Sequence, residues 1–327
     1  MIFITGGAGF IGSNLVAALV ERGRQVIVCD RLGRDGKWQN LAKRELADIL
    51  MPDAMLAALN YHKAAIEAVV HLGAITSTSE TDADLIINNN FVLSHTMWRW
   101  CIANDKPLIY ASSAATYGDG EAGFADDPGP AALARLRPRN PYGWSKHLFD
   151  RRVARAVESG EKRPPQWVGL KFFNVYGPNE YHKGPMQSLI ARSAARLAAG
   201  EPLRLFRSLR FDYPDGGQRR DFIHVVDVVD VILWLLENPK VSGLFNLGTG
   251  EARSWLDLGR ALFAAVGKPE RIEFVDLPPE IAAAYQYFTQ ADMARLRAAG
   301  YDSPFTPLEA GVTDYVQRYL LAADPYR

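Results

Sequence analysis

Residues 1–30, MIFITGGAGFIGSNLVAALVERGRQVIVCD, decide the fold. Ile2–Thr5 is a short β-branched and aromatic run that stops at glycine, the composition of a buried strand. It enters Gly6-Gly-Ala-Gly9-Phe-Ile-Gly12 directly, and the stretch from Ile11 to Arg22 has helical periodicity, with Leu15, Val16 and Leu19 on one side. A second strand, QVIVCD at Gln25–Asp30, ends on an acid eighteen residues beyond Gly12. Each spacing has a physical task. Gly6 permits a tight turn, Gly9 lets backbone approach a pyrophosphate, and Gly12 lets the helix pack closely on the strand. The helix N-terminus attracts phosphate charge. Spaced glycines alone are weak evidence; a strand before them, a helix after them and Asp30 at the next strand end predict a dinucleotide-binding unit. Asp30 would accept a hydrogen bond from a ribose 2′-hydroxyl, favouring NAD, whereas Arg31 and Lys37 offer cations to a 2′-phosphate. These residues by themselves leave NAD and NADP both open.

The pattern continues outward. Ala68–Leu72, Pro107–Ser112 and Val168–Val175 read as further strands, with helices over Asp84–Asn104 and Pro141–Ser159. Continuous apolar strands separated by helices predict an α/β fold, a Rossmann-type doubly wound parallel sheet covered on both faces. After Val175 the loops YGPNEYHKGP, FDYPDGGQ and DLPPE interrupt helices near Met186–Ala199, Val226–Glu237 and Trp255–Val266. Such loops suit a smaller, discontinuous C-terminal substrate domain. Asp221–Asn238 and Leu244–Leu247 are expected to return to the sheet. The expected division is therefore 1–173 with 221–248 for the dinucleotide, and 174–220 with 249–327 for the substrate.

Composition narrows the function. The 327 residues carry 37 Lys+Arg against 37 Asp+Glu, a net charge of zero, which argues against a phosphate-driven nucleic-acid binder. Cys29 and Cys101 form no disulfide framework and no metal spacing, and read as apolar residues of a reduced compartment. His62, His71, His95, His147 and His224 lack metal spacing and read as structural, so no metal is expected. Trp98 and Trp100 do not share a helix face and read as partly core. The opening residues lack a basic lead, and the apolar stretch Val225–Leu236 is broken by Asp227 and Asp230. A cytoplasmic protein acting on a small molecule, with no membrane partner, is the expectation.

The chemistry points to Tyr142-Gly-Trp-Ser-Lys146. At i and i+4, both side chains share one helix face. A phenol titrates near ~10, too high for a base at neutral pH, and a neighbouring ammonium is expected to lower it. Ser112-Ser113 closes the strand one element earlier, at the carboxyl end where open α/β sheets place their sites.

Together these features resemble the extended short-chain dehydrogenase/reductase family of nucleotide-sugar epimerases and dehydratases. The resemblance runs through GGAGFIG, HLGA (His71–Ala74), SSAATYG (Ser112–Gly118), YGWSK, FFNVYGP (Phe172–Pro178), RRDFIHVVDV (Arg219–Val228) and NLGTG (Asn246–Gly250). The family's dehydratases carry Thr-Asp-Glu after the strand; Ser113-Ala114-Ala115 here lacks the acid/base pair for eliminating water. The resemblance implies a homo-oligomer, NADP with NAD as the alternative, and a dinucleotide lined by Phe10, Ile11, Ala74, Ile75, Thr76, Asn89 and Val175. Lys146 would bond the nicotinamide ribose, and Tyr142 would relay a proton.

Within that family, SSAATYG, NVYGPNEYHKGPM and YQYFTQADMARLRAAGYDSPF resemble the branch that inverts carbon 6 of ADP-heptose for lipopolysaccharide core synthesis. There a lysine in HKG is a second acid/base group opposite the tyrosine, and Lys183 matches it. Inverting a carbinol through a ketone turns its oxygen over, so one fixed phenol cannot serve both epimers. Ser113 would steady the developing alkoxide. Asn174, Arg192, Phe206, Arg220 and Tyr285 match substrate-contacting positions, and the two arginines suit a diphosphate. Pro52 stands where some members of the branch carry a cofactor-loop lysine, Leu72 replaces an acid, Pro185 replaces a small hydroxyl residue, and the Arg210–Gln218 loop looks longer. A different nucleotide-sugar, as in a UDP-hexose 4-epimerase, or a silent dinucleotide-binding regulator are the alternative readings.

Overall fold

Residues 1–279 and 285–327 are described by the structure, a computed structural model. The strands in chain order are β1 (Ile2–Thr5), β2 (Val26–Cys29), β3 (Asp48–Leu50), β4 (Ala68–His71), β5 (Leu108–Ser113), β6 (Trp167–Phe172), β7 (Asn174–Tyr176), β8 (Leu203–Phe206), β9 (Arg219–His224), β10 (Gly243–Leu247), β11 (Ala252–Ser254) and β12 (Ile272–Val275). Seven of them form one parallel sheet in the order β10-β6-β5-β4-β1-β2-β3. The chain moves outward from β1 through β2 to β3, then returns to β4 on the other side of β1. That reversal opens a crevice at the carboxyl ends of β1 and β4, where ligands bind in doubly wound sheets.

The central strands β1, β2 and β4 are buried along their whole length, which is why they read as unbroken apolar runs instead of alternating ones. One face of the sheet packs with the helices Phe10–Glu21 and Val225–Glu237, and the other with Leu93–Asn104 and Pro141–Glu158. Trp98 and Trp100 both lie in that second layer, and Trp98 meets Phe149 and Trp167 edge to face. Cys29 and Cys101 are buried free thiols; burial pushes Cys29 up to about 12 and Cys101 higher still.

A third apolar cluster stands apart from the sheet. It joins the helices Leu189–Ala198, Trp255–Val266 and Leu308–Tyr315 with the three-stranded sheet β11-β9-β7 and the pair β12-β8. Two expectations are corrected here. Val168–Val175 is not one strand: it breaks at Phe173, and β7 leaves to pair with β9. Of Asp221–Asn238, only the helix packs on the main sheet, because β9 is taken by β7 and β11. Leu244–Leu247 does return, as β10 on the sheet edge.

Among the described residues, no helix is long and apolar enough to cross a membrane, and no group of His, Cys, Asp or Glu is arranged to hold a metal ion.

Candidate active site

The crevice is a cleft of about 690 Å³ above the carboxyl ends of β1, β4, β5 and β6. Its floor is the glycine loop. Gly6 has φ +70°, and a Cβ there would stand 2.6 Å from the Gly73 nitrogen, so no other residue fits the turn between β1 and β4. A Cβ at Gly12 would lie 2.1 Å from the Gly6 carbonyl oxygen. At Gly9 the Gly6 oxygen, at 3.1 Å, is the sole neighbour within 4 Å among the described residues, so its outer side is open to a ligand. Gly9 caps the helix Phe10–Glu21 without a side-chain hydrogen bond, leaving the helix N-terminus turned to the cleft as a phosphate cradle. These residues fit a dinucleotide pyrophosphate.

Asp30, buried at the end of β2, accepts from the Ala8 nitrogen at 2.9 Å and the Arg31 nitrogen at 2.7 Å. Lys37 pairs with it at 2.6 Å, so carboxylate and ammonium reach the cleft together. Arg31 does not line it: its guanidinium turns outward to Asp53, 3.3 Å away, beside Pro52.

Over this floor stands the Pro141–Glu158 helix. Asn140 caps it by accepting from the Gly143 nitrogen at 2.8 Å, with Pro141 in its first turn. Gly143 permits the helix to touch the Ser113 turn, since a Cβ would come within 2.7 Å of the Ala115 oxygen. Ser113, Tyr142 and Lys146 are thereby brought to one wall of the cleft. Burial raises the Tyr142 phenol above its ordinary value, opposed by its hydrogen bond with Ser113. The expected depression by Lys146 is thus not supplied by the protein's own field, because desolvation of the phenol dominates. The same burial lowers Lys146 to about 8, with Asp150 pulling the other way.

Asp150 lies one turn beyond Lys146 and anchors a buried polar chain. It accepts from Ser112 Oγ at 2.6 Å and pairs with Lys171 at 3.2 Å. Lys171 donates to Thr116 Oγ1 at 2.6 Å, and Thr116 donates to the Ser113 carbonyl oxygen at 2.8 Å. Both side chains of the pair are wholly buried. On the β1–β4 side, His71 sits between Thr5 Oγ1 (2.6 Å) and Ser94 Oγ (2.9 Å), and burial and the Lys146 charge hold its imidazole down to about 3.

Lys183 comes from a separate element, the turn Tyr181–Met186, which Gly184 kinks at φ +51°. Its ammonium lies 5.1 Å from the Phe10 ring centroid, within cation–π range, and burial lowers its pKa against an opposing pull from Glu180. Tyr142 and Lys183 line the same cleft.

A second cavity of about 380 Å³ adjoins the first, with Leu189, Arg192 and Trp255 lining both. Phe206 and Tyr285 flank it, their rings perpendicular at 6.2 Å. Arg220 lies beside it, its guanidinium 5.5 Å from the Tyr285 ring and 6.0 Å from the Trp255 ring. Among the described residues no carboxylate pairs with this buried guanidinium, which donates to the backbone oxygens of Arg219 and Gln286. Asn174 lines the first cleft.

Like Arg31, the cofactor-side candidates Asn89 and Ile75 do not line the cleft. The Asp84–Asn104 helix contains a wide π turn, Ile87–Val92, in which Asn90 is buried and Asn89 only partly so. Asn90 accepts from the Ile75 nitrogen at 2.8 Å and donates to Ser145 Oγ at 3.0 Å, tying the cofactor turn to the tyrosine helix. Asn89 instead donates to the Leu85 oxygen of its own helix. Sequence reasoning also missed His182 and Trp255, both lining the cleft. Their adjacency to Lys183 and Ser254 carries no periodic signal that marks a site.

The pattern of the NAD dependent epimerase/dehydratase family matches residues 2–248. Over full length the chain is 47% identical to an ADP-L-glycero-D-manno-heptose-6-epimerase of Nitratidesulfovibrio vulgaris and 43% identical to that of Fusobacterium nucleatum subsp. nucleatum, covering 100% of each. Among solved structures it is similar to the Helicobacter pylori ADP-L-glycero-D-manno-heptose-6-epimerase, with a TM-score of 0.79 and 26% identity over 97% of this chain and 95% of that one. It is also similar to the Thermus thermophilus UDP-glucose 4-epimerase in complex with NAD, with a TM-score of 0.76 and 26% identity over 98% and 99%. With a glycine-loop crevice, a Ser–Tyr–Lys wall and full-length relatives of this kind, the chain belongs to the NAD dependent epimerase/dehydratase family.

Proposed function

We propose that this protein inverts carbon 6 of ADP-D-glycero-D-manno-heptose to give the L-glycero epimer, in the cytoplasm, as a homo-oligomer, supplying heptose for a lipopolysaccharide core. The observation that carries the reading is the entry of Tyr142 and Lys183 into one cleft from two separate elements, the Pro141–Glu158 helix and the Tyr181–Met186 turn. Full-length identity to heptose epimerases supports the choice of sugar.

NADP is the proposed cofactor, with NAD accepted through Asp30. Lys37 would meet the 2′-phosphate, the glycine loop the pyrophosphate, and Lys146 the nicotinamide ribose. The bound dinucleotide supplies reversible hydride acceptance at the carbinol carbon. Everything else falls to side chains. Tyr142 holds or takes the hydroxyl proton of one epimer, while Ser113 donates to the same oxygen as charge develops on it. Lys146, largely protonated near neutrality with a pKa of about 8, stands one turn away as a cation beside the site, while burial still holds the phenol above its ordinary value. When the oxygen has turned over, Lys183 is the group that meets it. Its pKa, lowered by burial, brings proton exchange closer to neutral pH. Arg192 and Arg220 would take the diphosphate, and the Phe206–Tyr285 pocket the adenosine side.

The test is proton NMR of purified protein with each ADP-heptose in deuterium oxide. Interconversion without deuterium at carbon 6 is expected, because the hydride never exchanges with solvent. Conversion of UDP-hexoses with no action on ADP-heptoses would replace this reading by the 4-epimerase one. Tightly held cofactor with no turnover of any nucleotide-sugar would leave a silent regulator.

A further inference from the structure

The segment Asp324–Arg327 lies against two separate parts of the cleft wall. Lys43 pairs with Asp324 at 2.5 Å and also donates to the Tyr326 carbonyl oxygen. The Tyr326 hydroxyl donates to Gln39 Oε1 at 2.5 Å. Gln39 belongs to the one-turn helix Lys37–Asn40, whose first residue pairs with Asp30. So this side of the segment holds the turn that presents Lys37.

The other side holds the turn of Lys183. Tyr181 donates to the Pro325 carbonyl oxygen at 2.7 Å, and its ring meets Tyr326 edge to face at 5.3 Å. The Arg327 nitrogen donates to Asn179 Oδ1 at 3.0 Å. Asn179 is wholly buried in a left-handed conformation, φ +71°, a strained state for a non-glycine residue that persists where contacts enforce it. Its amide also donates to Ser13 Oγ at 3.0 Å, on the helix that opens with the glycine loop. Asn40 completes the ring: its amide donates to the carbonyl oxygens of Ala8 (2.9 Å) and Asn179 (3.1 Å) and lies 3.3 Å from His182 Nδ1. Lys183 follows His182 directly.

We infer that Asp324–Arg327 is a strap that positions Lys183 and the Lys37 turn together, so that proton transfer and dinucleotide grip depend on one tertiary contact. This rests on the reading of Lys183 as an acid/base group and of Lys37 as the cofactor's partner. The physical basis is simple. Lys183 rides on a short turn broken by Gly184, and such a turn has little internal rigidity. Its ammonium must still meet a carbinol oxygen within hydrogen-bond reach, where a displacement of about 1 Å can cost up to a hundredfold in rate. Tyr181, Asn179, Tyr326 and Gln39 are positioning residues: none needs to touch substrate.

The experiment compares the full chain with a chain lacking residues 325–327, each with and without Lys183→Met. Folding is monitored by thermal unfolding, and NADP and NAD dissociation constants by titrating cofactor-stripped protein. Deletion is expected to lower kcat by about ten- to a hundredfold while KM for the sugar stays within about threefold, the signature of a misplaced reacting group. It should also weaken NADP more than NAD. In the Lys183→Met background the same deletion should leave the residual kcat unchanged, because the group it positions is already gone. Tyr181→Phe, which removes one hydrogen bond and keeps the ring, should give a smaller fall of the same kind. An equal fall in both backgrounds, or unchanged kcat and cofactor constants in a folded deleted chain, overturns the strap. If Lys183→Met alone leaves turnover intact, the acid/base reading of Lys183 fails instead. The ratio of NADP to NAD constants in the deleted chain then still judges the strap, and an unchanged ratio overturns it.

Discussion

Asp150 faces two lysines of opposite consequence. It supports the charge of Lys146 one turn before it, and is itself neutralised by Lys171, 3.2 Å away and wholly buried. The carboxylate therefore links the proton affinity of the site to the stability of the core beneath it. Replacing it separates the two.

Asp150→Asn removes the main influence that raises Lys146. Lys146 then loses its proton at lower pH than about 8, and the alkaline limb of kcat/KM moves toward acid. The same change leaves Lys171 buried without its paired carboxylate, with Asp126 the remaining acid that supports its charge, at a cost of about 3–5 kcal/mol in unfolding free energy. Adding Lys171→Met should recover much of the stability without restoring the pH limb. A limb that stays in place while stability falls would make Asp150 purely structural.

Tyr142→Phe and Lys183→Met should each suppress epimerisation by about 10²- to 10⁴-fold, yet fail on opposite epimers. Cofactor absorbance in a single turnover should show Lys183→Met oxidising one ADP-heptose and Tyr142→Phe the other. Oxidation of both epimers by both variants would rule out two groups with divided duties.

Arg220 is a buried guanidinium flanked by the Trp255 and Tyr285 rings, with no carboxylate partner among the described residues. Arg220→Met should raise KM for the nucleotide-sugar by about ten- to a hundredfold, the worth of a charged hydrogen bond. Arg220→Lys should recover little, since a point charge lacks the planar fork and the ring contact. Initial rates across substrate concentration decide it. An unchanged KM would remove Arg220 from the substrate site.

Lys37 and Arg31 differ in placement. Lys37→Ala should weaken NADP clearly more than NAD, whereas Arg31→Ala should change both little, because Arg31 is exposed and turned to Asp53. Fluorescence titration with the reduced cofactors measures this. The reverse order would transfer the 2′-phosphate contact to Arg31.

Much of this site is legible before folding, for reasons that particular residues illustrate. The i, i+4 spacing of Tyr142 and Lys146 is a property of any α-helix, and the helix expected over Pro141–Ser159 is observed over Pro141–Glu158. Asn89 shows a different limit. It is named by resemblance alone, whereas in the wide turn Ile87–Val92 it is Asn90 that is buried and accepts from the Ile75 nitrogen. Val168–Val175 fails too. Its residues read as one strand, but whether β7 stays with β6 depends on which partner β9 offers across nearly fifty residues.

The sequence by itself determined the crevice and the Tyr–Lys wall, because glycine spacing, strand runs and helical periods are interactions among near neighbours. Only the tertiary structure decided that the phenol is raised instead of lowered, that Asp150 leans on Lys171, and that the Lys183 turn is clamped beside Lys37. Burial, counter-charges and docking are set by residues far apart along the chain, and no local pattern encodes which distant groups will meet.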